Sequence, residues 1–230
     1  MGRLPSADSG EAAAMNCIVT AGPTFEPLDE VRRLTNFSTG RLGSELANHL
    51  SACGHQVTLL LGSGATFHTT LAAQRVERFT TTADLRSGLA VLSGSSIGVV
   101  FHAAAVSDFA FGRVFRRGPE GVLTECREKK IPTAEVGLLA ELIPTPKLLD
   151  ELRPWFPQAR LVGWKFEVQG DPASVVAKAR AQIAHSRTDA CVANGPAYGA
   201  GFGFLVGNGA CQHLPDSPAL YAALAEWLRG

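Results

Sequence analysis

The sequence predicts an α/β fold: a doubly wound, mostly parallel sheet flanked by helices, with a projecting insertion. Three observations carry this. Continuous apolar runs of strand length, Cys17 to Thr20, Val57 to Leu61 and Ile97 to Ala103, alternate with stretches of helical periodicity. The first run leads through Gly22-Pro23 to a Ser/Thr/Gly loop, Asn36 to Gly43, that opens a helix. The alternation breaks at about 109–144, where glycines and a charged cluster replace it.

Taken in order, the first helix places Leu42, Leu46, Leu50 and Cys53 on one face, and Gly54 is its stop. Val76 to Phe79 is a weaker third strand. Thr82 to Leu92 reads as a helix with Leu85, Leu89 and Leu92 aligned. After the insertion, three helices are expected to share one start signal, a capping residue followed by proline, at Thr145-Pro146, Asp171-Pro172 and Ser217-Pro218. Between them lie strand candidates at Leu161 to Phe166 and Ala190 to Ala193, and Phe202 to Val206 is a final one. Residues 1–14 read as a disordered leader, with Met15 an alternative start, and 15–230 as one domain. No repeat or linker divides it.

Composition excludes several classes. With 46% hydrophobic residues the chain can bury a core, and its 21 basic and 21 acidic residues cancel. Balanced charge gives no support for nucleic acid or a membrane surface as partner. No apolar run is long enough to span a bilayer, and the N-terminus lacks the apolar core of a signal peptide. Five cysteines without a CxxC spacing fit free thiols in a reducing cytoplasm. The six histidines show no HxxxH or HExxH spacing, so a zinc site is not expected.

The loop Asn36 to Gly43 is a place for phosphate, because helix N-termini present outward N–H groups and a favourable dipole. Ligands in such sheets bind beyond the carboxyl ends of the strands, which groups Gly22, the Asn36–Gly43 loop, Ala104 to Asp108, Gly163 to Phe166 and Asn194. A nicotinamide enzyme is disfavoured because GxGxxG and the acidic ribose partner are absent. GxxxxGK[ST] and GxSxG are absent too. Singly, each residue has a plain alternative: Asn36 a turn residue, Lys130 a solvated lysine, Asp108 a cap, Arg32 an exposed side chain, Trp164 core. The residues alone support a nucleotide- or phosphate-binding α/β domain.

Taken together, VTAGPTFEPLDEVRRLTNFSTGRLG, HAAAVSDF, REKKIP, VGWKFEVQGDP and CVAN resemble, in order and spacing, the phosphopantothenoylcysteine synthetase family. The resemblance runs from about Asn16 to Asn194 and continues more loosely through GFGFLV. It implies a Rossmann-like domain with a dimerisation flap, acting as a cytoplasmic homodimer in coenzyme A biosynthesis. The implied reaction joins 4′-phosphopantothenate to L-cysteine, with CTP or ATP as co-substrate and Mg²⁺ expected, through an acyl-nucleotidylate. By this resemblance Gly22, Ser38, Gly40, Gly43, Trp164 and Asn194 contact the nucleotide. Asn36, Ala104, Ala105 and Asp108 hold the pantothenate part, and Arg32 reaches the substrate phosphate from the other subunit. Asn36 and Lys130 are the implied catalytic residues; the metal ligands stay open.

Three departures bear on the nucleotide. Lys130-Ile131-Pro132-Thr133 stands for the bacterial KIKK, Gly163-Trp164-Lys165-Phe166-Glu167-Val168 for GFAAET, and His185-Ser186-Arg187-Thr188 where KxxxKN is usual. CTP and ATP therefore both remain open. Many bacterial members carry a flavin-dependent decarboxylase domain; nothing in this chain resembles one, so no flavin is expected. Two other readings are carried: a non-catalytic nucleotide-binding relative, and an NAD(P)-dependent oxidoreductase.

Overall fold

Alternation along the strands sorts side chains into two core layers. In the computed structural model, which describes residues 14–118, 120–132 and 137–230, the first strand is β1 (Asn16–Ala21). Its Cys17, Val19 and Ala21 face one layer and Ile18 the other. The chain continues through a hairpin, β2 (Phe25–Pro27) and β3 (Arg33–Thr35), to α1 (Arg41–Ala52). Then come β4 (Gln56–Gly62), β5 (Arg75–Phe79), α2 (Thr82–Leu92) and β6 (Val99–His102). β7 (Phe109–Arg117), β8 (Leu123–Cys126) and β9 (Leu138–Pro144) form a separate three-stranded antiparallel arm. The chain returns through α3 (Leu148–Trp155), β10 (Arg160–Phe166), α4 (Pro172–Ser186) and β11 (Ala190–Asn194). It closes with β12 (Phe202–Val206), β13 (Gln212–Leu214) and α5 (Ser217–Arg229). The leader expected at 1–14 falls, except for Ala14, outside the described residues.

The main sheet has the order β13-β12-β11-β10-β6-β1-β4-β5. From β5 to β11 the pairs are parallel, and β12 and β13 are antiparallel. This is the expected doubly wound α/β sheet, with an antiparallel edge. α1 and α5 cover one face through Leu46, Leu50, Leu220 and Leu224. α2 and α3 cover the other through Leu85, Leu89, Leu148 and Leu152, with α4 beside them over β11. All five cysteines are free; Cys17 and Cys191 are buried, which pushes both thiols up to about 12.

Three helix starts were expected from one signal, and one follows it. Asp171 caps α4 and its carboxylate accepts from Ser174 N at 2.7 Å, with Pro172 in the first turn. α5 is capped one residue earlier than expected, by Asp216, whose Oδ1 accepts from Ala219 N at 2.9 Å. α3 does not start at Pro146. Thr145 is drawn away: its N–H donates to Asp108 O at 3.0 Å and its hydroxyl to Ser107 O. Those bonds fix Thr145 beside the loop after β6, and the helix begins at Leu148 without a side-chain cap. Cys53 caps α1 on the surface instead of joining its buried face, and Gly54 follows at φ +88° as the expected stop.

Candidate functional site

Between β1 and β6 the connections depart to opposite sides of the sheet, which opens a crevice at the strands' carboxyl ends. A cleft of about 900 Å³ lies there. On one side it is walled by Asn36 to Leu42, on another by Ala103 to Val106 and Asp108, and on a third by Trp164, Phe166 and Asn194.

Backbone hydrogen bonds lace these walls together. Ala105 N donates to Gly22 O at 2.9 Å and Thr24 N to Ala105 O at 3.1 Å. Ala104 N donates to the Thr20 hydroxyl at 3.1 Å, and that hydroxyl also meets His102 Nδ1 at 3.0 Å. His102 is buried, and burial pushes its imidazole down to about 4, so the ring is neutral at physiological pH. The Asn36 amide donates to Ala105 O at 3.0 Å, which leaves its amide oxygen for the cleft. Thr66 N and Phe67 N both donate to Thr39 O, bracing the Ser/Thr loop from behind.

The expected site residues divide into two groups. Asn36, Ser38, Gly40, Ala104, Ala105, Asp108, Trp164 and Asn194 share the cleft. Gly40 enters α1 at φ +80°, and a Cβ there would stand 2.9 Å from the Ala65 methyl and 3.3 Å from Gly22 Cα. Gly22 and Gly43 are not in the cleft wall. Gly43 is the contact between α1 and β1: a Cβ there would sit 2.6 Å from the Ala21 methyl. Both act behind the loop by letting its supports close up.

Arg32 and Lys130 also lie away from the cleft wall. Arg32 donates from Nε and Nη2 to Asp29 Oδ2, at 3.1 and 2.5 Å, and from Nη2 to Ile131 O at 2.7 Å. Asp29 raises the Arg32 pKa through this bond, and Arg32 in turn holds the Asp29 carboxyl well below the usual carboxylate range. Lys130 is exposed on the segment that this pair grips.

Arg41, beside the Ser/Thr loop, and Lys165, in the stretch Gly163 to Phe166, bring positive charge to the cleft; Arg41 pairs with Glu45 at 2.9 Å, and Lys165 with Glu167 at 3.1 Å. Two further lining residues were not singled out from the sequence. Tyr221 from α5 donates to Glu45 at 2.9 Å. Gln182 from α4 had a readable signal, a polar residue on the same face as Val175, Ala179 and Ile183. The indole Nε1 of Trp164 and Oδ1 of Asn194 are closed off from solvent without a protein partner. Buried polar atoms are costly unless paired, so both mark places where a ligand would bond.

Among the described residues no three His, Cys, Asp or Glu side chains cluster as a cation cage. The cleft offers the carboxylates of Asp108 and Glu45. Carboxylate oxygens are donors of the kind Mg²⁺ takes, alongside phosphate oxygens and water.

Fold and cleft together define an α/β domain with an anion-suited ligand site at its topological switch point. Residues 12–208 match the family described as the DNA/pantothenate metabolism flavoprotein C-terminal domain, and the chain belongs to that family. The coenzyme A biosynthesis bifunctional protein CoaBC of Thermococcus kodakarensis is 33% identical over 177 residues, covering 77% of this chain and 40% of that protein. The chain spans about two fifths of the length of the curated relatives it matches first. A crystal structure described as the DNA/pantothenate metabolism flavoprotein from Streptococcus pneumoniae superposes with a TM-score of 0.80 at 25% identity, covering 94% of this chain and 98% of that one. A Cab2 variant in complex with phosphopantothenate-cysteine has a TM-score of 0.66 at 19% identity, covering 93% and 87%; that likeness is one of fold.

Proposed function

We propose that this chain is a phosphopantothenate–cysteine ligase of coenzyme A biosynthesis. The observation that carries the reading is the convergence of Asn36, Ser38, Gly40, Ala104, Ala105, Asp108, Trp164 and Asn194 on one cleft, from four separate stretches of chain. Family membership and the relatives' coenzyme A role support it.

In this reading the phosphopantothenate carboxylate attacks the nucleotide α-phosphorus. A C–O–P linkage forms and pyrophosphate leaves with the electron pair of the broken P–O bond. The cysteine amine then attacks the acyl carbon, a C–N bond forms, the nucleoside monophosphate leaves, and the amine proton is released. The protein's work is to hold two anionic reactants together and to offset developing charge. Ser38 and Gly40 present the phosphate loop, with Trp164 and Asn194 beside the nucleotide. Asn36, Ala104, Ala105 and Asp108 hold the pantothenate part. Asp108 and Glu45 are the carboxylates that would help hold Mg²⁺ here, and the ion would supply charge neutralisation.

Lys130 serves from the arm side, and Arg32 of a second copy serves the substrate phosphate. Exposed Phe109, Leu138, Leu139, Leu142 and Ile143 on the arm support a homodimer built through that sheet. The compartment proposed is the cytoplasm. A second reading, a nucleotide-binding relative without turnover, is favoured by the position of Lys130 outside the cleft wall. One experiment separates them: pyrophosphate release by the purified protein with CTP or ATP, with and without phosphopantothenate. Release that depends on phosphopantothenate upholds the ligase; nucleotide binding without release upholds the relative.

A further inference from the structure

Behind the cleft lies a second, smaller cavity of about 190 Å³. It shares Ala104, Val106, Asp108, Trp164 and Gln182 with the cleft, so the two communicate. Its far wall is the first turn of α3, Lys147 to Leu149.

α2, α4 and α5 each have a side-chain cap, from Thr81, Asp171 and Asp216, whereas no side chain caps α3 or α1, and α3 carries Asp150 and Glu151 in its first turn. The first N–H groups of a helix need an outside acceptor, and the helix dipole favours a negative one. A second observation points the same way. Ser107 is 4% exposed and lines the cavity, and its Oγ has no hydrogen-bond partner. Trp164 also lines it, and its indole N–H is closed off from solvent and unpartnered. His102 faces the cavity as well; Thr20 occupies its Nδ1, so Nε2 is the nitrogen available there. The uncapped start of α3, the loop after β6 with Ser107, and β10 with Trp164 thus line one small space.

We propose that this cavity seats the α-carboxylate of the amino-acid co-substrate, and that it accepts a small α-amino acid as the zwitterion. The proposal rests on the ligase reading. The donors are neutral apart from Lys147, and Asp108 stands at the rim in an ion pair with it. A carboxylate monoanion suits that balance. A phosphate dianion would bring more charge than one exposed lysine offsets, against Asp108. The carboxylate lies towards the α3 N-terminus, Ser107 and Lys147, and the ammonium loses a proton to water before the amine attacks. The amino group is then on the cleft side, where the activated acyl group forms. Val106 and Leu149 give the short side chain an apolar wall.

The test compares L-cysteine with cysteamine, which has the same amine and thiol but no carboxylate. In Ser107→Ala we expect kcat/KM for L-cysteine to fall about 10-fold, the size of one lost hydrogen bond to a charged group. kcat/KM for cysteamine and phosphopantothenate-dependent pyrophosphate release should be unchanged. Lys147→Met, at the exposed rim, should also lower the preference for L-cysteine. Ser107 Oγ has no partner in the fold, so its removal should not lower the melting temperature. An equal loss for both amines, or no loss for either, overturns the proposal while the ligase stands. Absence of phosphopantothenate-dependent pyrophosphate release from the wild type overturns the ligase instead. The cavity is then judged by calorimetric titration: L-cysteine binding that is lost in Ser107→Ala and absent for cysteamine upholds it, and no binding, or equal binding of the two, overturns it.

Discussion

Asp29 and Ile131 stand 102 residues apart in the chain and are joined by a 3.1 Å hydrogen bond from the Ile131 N–H to Asp29 Oδ2. Arg32 completes the clasp by bonding both the Asp29 carboxylate and the Ile131 carbonyl. Asp29 Oδ1 meanwhile accepts from Val31 N and Arg32 N at 2.9 and 2.7 Å. The tip of the β2–β3 hairpin therefore holds the segment carrying Lys130. Asp29→Ala should release it. We expect faster tryptic cleavage after Lys129 and Lys130 and loss of amide-exchange protection at Ile131, with little change in melting temperature. The Asp29 carboxyl is held low in the folded protein, so the clasp is at full strength above the ordinary aspartate range and is lost as pH falls below it.

Lys130 and Lys129 form an internal comparison. Lys129 pairs with Glu30 at 3.3 Å, both well exposed, and such pairs contribute little. A lysine brought against the α-phosphoryl oxygens in a site that excludes water acts far more strongly. Lys130→Gln should lower kcat by about 10²–10³, the usual loss for one transition-state donor. Lys129→Gln should change it little. Steady-state kinetics of the two variants decide; equal and small effects return Lys130 to the solvated surface.

Asn36→Asp is a sharper probe than its size suggests. It sets a carboxylate oxygen against the Ala105 carbonyl where an N–H now donates. It also removes the second amide N–H, the donor we assign to the acyl oxygen of the intermediate. We expect conversion of the acyl-nucleotidylate to amide to fall more than its formation. Quenched-flow trapping should then show the intermediate above its wild-type level; a level never above wild type removes Asn36 from that role.

Gly43→Ala tests the support of the phosphate loop. The new methyl would meet Ala21 at 2.6 Å and the Thr20 carbonyl at 3.1 Å, and neither can swing aside. Overpacking of this kind costs about 1–3 kcal/mol. A lowered denaturation midpoint, with weaker nucleotide binding as α1 is pushed off β1, is the expected result.

His102 makes stability depend on pH. Its folded-state value of about 4 lies below the ordinary imidazole range, so the unfolded chain binds the proton more readily. Stability is complete above about pH 6.5 and declines as pH falls towards 4, by at most about 3 kcal/mol. Urea midpoints at pH 7 and pH 4.5 measure this, and His102→Gln should flatten the slope.

How much of this was readable follows from where the determining contacts lie. β4, α2 and β12 were legible because their signals are local: an apolar run, leucines at helical spacing, a glycine-bounded strand. The β2–β3 hairpin was not. Its strands are three residues each, too short for a period to show. Distant bonds hold it, from Thr82 N to Glu26 at 2.9 Å and from Ile131 N to Asp29. The start of α3 was misplaced for the same reason: Thr145 has the chemistry of a cap, but Ser107 and Asp108, remote in sequence, take its bonds. In the cleft, Asn36, Ser38 and Gly40 lie in one contiguous motif, whereas Tyr221 enters from a helix whose periodicity reports packing alone, and the only local mark of Gln182 is a polar residue on the buried face of α4.

The two buried thiols have a practical consequence. With values near 12, Cys17 and Cys191 stay protonated and shielded, and thiolate is the form that attacks disulfide reagents. A protein proposed to work on a free thiol amino acid thus keeps its core sulfurs out of exchange with that substrate's oxidised dimer. It also carries its own unfolding reporter. Cys53 on the surface, with the part-exposed Cys126 and Cys211, sets the early reaction with a thiol dye, and the labelling of Cys17 and Cys191 clocks the opening of the central sheet from within.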